Sequence, residues 1–133
     1  MRAKFFKFLP YLTLVCSVLV FLILATRNLS FPIWFDEGYT AYLIKGNFSE
    51  IWSLTALDVH PPFYYFLLKI WSLIFGSSLI SLRAMSIFFG ATSLTLLFLL
   101  LKRWFSPKTA ASTLILTAFS PFLIRYGMEM RMY

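Results

Sequence analysis

From Phe8 to Thr26 the chain carries no charged residue. Thr109–Ile124 is equally free of charge, and Leu79–Leu101 contains one, Arg83. A helix needs about 20 apolar residues to cross a hydrocarbon core roughly 30 Å thick. Inside such a core every backbone polar group must find its partner within the protein, which leaves helices for segments of this kind. Composition agrees: 60% of the 133 residues are apolar and only 13% are charged, against about 25% charged in soluble domains. A soluble domain of this size could not hide that much apolar surface. The expected fold class is therefore an all-α integral membrane protein.

Charge placement orders the spans. Twelve Lys and Arg against five Asp and Glu give a net charge of +7. No basic run interleaved with aromatics reads as a nucleic-acid surface, so nucleic acid is excluded as a partner. The single cysteine, Cys16, rules out an intrachain disulfide and a cysteine-built zinc site. Arg2, Lys4 and Lys7 precede the first run, and Lys102, Arg103 and Lys108 separate the second from the third. By the positive-inside rule both groups belong on the cytoplasmic face. That placement requires Pro62–Phe75, a short apolar stretch interrupted by Lys69, not to span. The expectation is three spans at about 8–26, 79–101 and 109–125, with the amino terminus inside and an outer loop over about 27–78. Phe8–Thr26 is too long for a signal-peptide core and lacks a good cleavage site, so it is expected to stay as an anchor. Residues 1–133 then form one domain in the cell membrane.

The outer loop is too long and too apolar for a disordered connection. Its spacing predicts three short helices lying on the membrane surface. The first covers about Asp36–Ile44, with two acids in its opening turn and Gly46 beyond its end. The second covers about Phe48–Leu57, where Asn47 and Glu50 form a variant of the capping box. The third covers Pro61–Phe75, with prolines in the first turn, Gly76 as stop and Lys69 snorkelling to the headgroups.

All five acids fall on the outer side of this topology. Asp36-Glu37 follows Phe31-Pro32-Ile33-Trp34-Phe35 directly. Desolvation by such neighbours raises at least one carboxyl pKa of a pair, which suits a proton acceptor near neutral pH; alternatively Asp36 caps the following helix. Asp58 and His60 stand before a double proline that fixes the chain direction. They read either as site residues or as helix punctuation. A divalent metal held by Asp36, Glu37, Asp58 and His60 stays open, although no ligand spacing singles it out and no metal ligand or cofactor is assigned. Arg83, about a turn inside its span, is either functional or snorkelling. Ser120-Pro121 predicts a kink, and Arg125 and Glu129 have the spacing of a helical ion pair. Arginines and carboxylates together at one membrane face fit transfer from a lipid-linked phosphate, because arginine grips phosphate with a bidentate fork.

The stretches WFDEGYTAYLIKG, DVHPPFYYFLLKIWSLIFGSS, LRAMSIFFGATSLTLLFLLLKRWFSPKTAA and SPFLIRYGMEMRMY resemble the amino-terminal part of the C-type (GT-C fold) membrane glycosyltransferases. The resemblance is strongest to bacterial relatives of the dolichyl-phosphate-mannose–protein mannosyltransferases and of the lipid A aminoarabinose transferase. It implies transfer of a sugar from a polyprenyl-phosphate donor to a lipid, glycan or protein hydroxyl on the extracytoplasmic face, with inversion. It also implies Asp36 as general base, with Glu37 positioning substrate or base. Asp58, His60, Arg83, Glu129, Arg131 and Tyr133 would bind substrate, and Arg83 or Arg131 would meet the carrier phosphate. Family members have more spans, so this chain is expected to be part of a longer polypeptide and inactive alone. Two other readings stay open: a small non-enzymatic three-span protein that binds a partner, and part of a polyprenyl-lipid transporter.

Overall fold

The computed structural model describes residues 2–27, 29–57 and 60–131, and among these it forms seven helices and no strand. The side chains of residues 2–7 lie outside that description. Helices α1 (Arg2–Thr26) and α5 (Leu79–Trp104) are both long and apolar enough to cross a membrane. At 1.5 Å per residue α5 is about 39 Å long, enough for a bilayer core. Leu12, Val15, Leu19 and Ile23 of α1, with Leu96, Leu99 and Leu100 of α5, remain exposed to the surroundings. These rows are where the apolar excess of the sequence goes.

The expected third span over 109–125 is not one helix. Helix α6 (Pro107–Ala118) ends at Phe119, and α7 (Pro121–Tyr126) begins beyond it. Pro121 brings no N–H to the ladder, and its ring clashes with the preceding turn while driving Ser120 to an extended conformation. Ser120 has φ −63° and ψ 120° accordingly. What reads as a kink in sequence is a full break.

The largest core lies where α1, α5 and α6 meet, around Phe21, Leu94, Phe98 and Leu114. Phe21 is fully buried between two glycines. A Cβ at Gly90 would come within 2.6 Å of the Phe21 ring, and one at Gly127 within 3.1 Å. Only hydrogens at these positions let α1 approach both α5 and the segment after α7. At the opposite end Lys102 lies 4.2 Å from the Tyr11 ring centroid and contacts its hydroxyl, a cation–π pairing between α5 and α1.

The connection between α1 and α5 holds α2 (Phe35–Leu43), α3 (Phe48–Ala56) and α4 (Phe63–Phe75). The box at α3 forms as its residues dictate: Asn47 Oδ1 accepts from the Glu50 N–H at 2.9 Å, and Glu50 Oε2 accepts from the Asn47 N–H at 2.8 Å. Helix α4 starts two residues later than the prolines predict, because Pro62 bars Pro61 from the helical region. Lys69 does not snorkel. Its Nζ donates to the Ile44 carbonyl at 2.8 Å, a cation at the negative end of α2. Trp71 Nε1 donates to the Ser81 carbonyl at 2.9 Å, and Leu68, Leu82, Met85, Ile44 and Met130 close a second core. Helices α2 and α4 are thereby fixed to the first turns of α5, which carry Arg83.

Candidate functional site

Arg83 is the fifth residue of α5 and its side chain is only 3% exposed. A guanidinium buried that deeply must place five N–H donors on acceptors. Here it does so completely. Nε donates to Glu37 Oε1 at 3.0 Å and Nη2 to Glu37 Oε2 at 2.6 Å, a bidentate ion pair. Nη1 donates to the carbonyls of Leu29 and Phe31 at 2.7 and 2.8 Å, and Nη2 also to that of Pro32 at 3.3 Å. The arginine thus gathers the chain between α1 and α2 around itself.

Glu37 is filled from the other side as well. Its Oε2 accepts from the Trp34 N–H at 3.2 Å, across the first turn of α2, and its Oε1 from the Met130 N–H at 3.2 Å. Burial pushes this carboxyl up, but the Arg83 hydrogen bonds, the two backbone donors and the arginine's charge together outweigh it. The net result is a pKa below the ordinary glutamate value. Glu37 thus does not have the raised pKa that the aromatic neighbours of the Asp-Glu pair suggest, and it is held as the anion.

Asp36 points elsewhere. Successive residues on a helix diverge by about 100°, and with Glu37 turned inward Asp36 is turned out, its side chain 54% exposed. It does not cap α2; the cap position is Trp34, and Glu37 reaches back to that residue's N–H. Asp36 Oδ2 instead lies 3.0 Å from Arg131 Nη2. Arg131 Nε stands 3.2 Å from Glu129 Oε2, and Arg125 Nε stands 3.7 Å from Glu129 Oε1. Arg125 is two-thirds exposed, so the helical pair expected from spacing forms loosely, and the closer partner of Glu129 is Arg131.

Each member of the Arg131–Glu129 pair lines a cavity of its own. One, about 460 Å³, lies between α4, α5 and α7 and is lined by Phe63, Leu67, Phe89 and Phe122 among others. Arg131 is its charged member among the described residues, and Tyr64 and Ser86, whose hydroxyls are 3.1 Å apart, add polar atoms. The other, about 530 Å³, runs from Phe31 and Trp34 past Glu37 and Arg83 to Arg125 and Glu129. His60 is half-buried in the turn before α4. Asp58 and Tyr133 lie outside the described residues. Among the described residues no three His, Cys, Asp or Glu side chains gather where a metal ion could be held. The structure thus brings Asp36, Glu37, Arg83, Glu129 and Arg131 into one cluster. The sequence left out Trp34 and Met130, whose contributions are backbone N–H groups that no residue type advertises.

A sequence model of the family described as dolichyl-phosphate-mannose-protein mannosyltransferase matches residues 59–132, more than half of the chain. The chain belongs to that family. No curated protein and no solved structure matches it. The matched segment contains His60, Arg83, Glu129 and Arg131 and begins after Asp36-Glu37. Membership makes this a glycosyltransferase-like membrane protein of the mannosyltransferase-like GT-C type, in keeping with its two long apolar helices.

Proposed function

We propose that the chain carries the catalytic outer segment of a glycosyltransferase that moves a sugar from a polyprenyl phosphate to an acceptor hydroxyl, inverting the anomeric centre. The observation that supports this best is the contrast within the Asp-Glu pair. Asp36 is an accessible carboxylate poised against an arginine, and Glu37 is sealed beneath it. In this reading α1, α5 and the broken α6–α7 pair span the bilayer with the amino terminus inside, and α2–α4 lie along the outer surface.

The acceptor oxygen attacks the anomeric carbon while its proton passes to Asp36. The bond from that carbon to the phosphate oxygen breaks, and the electron pair stays on the phosphate. The Arg131 guanidinium offsets the charge developing there. Phosphate binding draws Arg131 from Asp36 and frees the carboxylate. The cavity lined by Phe63, Phe89 and Phe122, with Arg131 in its wall, suits an isoprenoid attached to a phosphate. Glu129 holds Arg131. Asp58, His60 and Tyr133 are assigned to substrate contact on the family resemblance.

The test is donor dependence. Membranes carrying the complete gene product receive a labelled sugar either on a polyprenyl phosphate or on a nucleotide, with carrier synthesis blocked. The proposal expects label in acceptor only from the lipid-linked donor. Transfer from the nucleotide alone would overturn it, and so would uptake of the lipid-linked sugar without transfer.

A further inference from the structure

Glu37 and Arg83 have no capacity left for a substrate. A carboxylate offers about four lone-pair positions, and Glu37 receives four donors: Arg83 Nε, Arg83 Nη2 and the N–H groups of Trp34 and Met130. A guanidinium offers five N–H groups, and those of Arg83 are all engaged by protein oxygens. A phosphate that captured Arg83 would strand buried carbonyls or the Glu37 anion, both costly.

The positions of these bonds matter more than their number. Met130 precedes Arg131 directly, and Glu37 follows Asp36 directly. Both members of the Asp36–Arg131 pair are therefore next to a group bonded through the same carboxylate, although they come from opposite ends of the chain. We propose that Glu37 and Arg83 are positioning residues that set the separation of Asp36 and Arg131, and that neither touches donor or acceptor. The proposal rests on the reading of Asp36 and Arg131 as the groups that meet substrate. Of the two arginines that the family resemblance offers for the carrier phosphate, Arg83 and Arg131, it assigns Arg83 to the scaffold beneath.

The experiment is amide hydrogen exchange on the complete gene product in lipid nanodiscs, paired with transfer kinetics. Glu37→Gln keeps the shape and removes the charge. It is expected to speed exchange together in segments 29–37 and 127–131, while Asp36→Asn leaves both at the wild-type rate. Arg83→Lys keeps the cation but not the five-donor fork, and it must show the same paired change even if Glu37→Gln fails to accumulate. For Arg83→Lys kcat is expected to fall by roughly 10²-fold, the scale of a misplaced catalytic group, with the donor KM held within about twofold, since kcat alone reports a lost transition-state arrangement. Unchanged exchange at 127–131 in Arg83→Lys would overturn the proposal. A normal kcat with a raised donor KM in that variant would also overturn it, because it would put Arg83 on the phosphate. Full transfer by Asp36→Asn would instead sink the base assignment, and the exchange data would still decide the positioning role.

Discussion

The backbone N–H of Met130 donates to Glu37 Oε1 at 3.2 Å, joining residues 93 positions apart. Through this bond the segment after α7 is held against the first turn of α2. With Arg83 completing the other side, one buried carboxylate ties together the chain after α1, the head of α5 and the segment that carries Arg131. Several measurable consequences depend on this arrangement.

Acid stability should follow Glu37. Its pKa is lowered in the folded state, so the unfolded chain binds more protons as pH falls through the glutamate range. The stabilisation is complete above the ordinary glutamate value of 4.5 and drains away as pH drops toward the folded pKa. Thermal unfolding in detergent between pH 7 and pH 3 checks this. In Glu37→Gln the acid limb should flatten.

The two arginines near Glu129 and Glu37 should differ sharply in stability. Arg83→Met leaves Glu37 as an uncompensated buried anion and is expected to cost about 3–5 kcal/mol. Arg125→Ala breaks a loose, exposed pair and should stay within about 1 kcal/mol. Denaturant midpoints of the two variants in the same micelle make the comparison.

Gly90 should tolerate no side chain while Phe21 keeps its ring. Gly90→Ala is expected to cost about 1–3 kcal/mol by overpacking, since the added Cβ meets the ring at 2.6 Å. Phe21→Leu removes the ring atoms that the added Cβ would meet, so the Ala substitution should cost less in that background than alone. A double-mutant cycle on unfolding midpoints reads the coupling. An additive result would remove this contact from the account of how α1 meets α5.

Sidedness can be read with cysteines in a Cys16→Ser background. Ser53→Cys, on the exposed side of α3, should react with a membrane-impermeant maleimide in intact cells. Lys108→Cys, at the start of α6, should react only after permeabilisation. Reaction of both in intact cells would mean that α4 spans, and the reverse pattern would mean that the whole chain is oriented against the positive-inside rule.

Much of the fold was legible because its signals are local. The long apolar runs marked α1 and α5, the Asn47–Glu50 spacing marked the start of α3, and Ser120-Pro121 marked an interruption. The interruption's depth was missed, because sequence shows that a proline bends a helix but not whether neighbouring packing carries the helix across it. The site was legible only as a set of residue types. Nothing in two adjacent acids says which one turns inward. That was settled by Arg83, 46 positions away, and by the backbone N–H of Met130, which is chemically the same as at any other residue. At Glu37 the aromatics signal burial, but the four donors that outweigh it leave no mark in the sequence.

The central claim is that Asp36, and not its neighbour, takes the acceptor proton. It is tested most directly by the turnover of Asp36→Asn in the complete gene product, at saturating lipid-linked donor and with membrane insertion confirmed. Loss of a general base should lower kcat by about 10²–10⁴-fold while the Glu37–Arg83 clamp stays intact. Wild-type turnover in that variant would contradict the account.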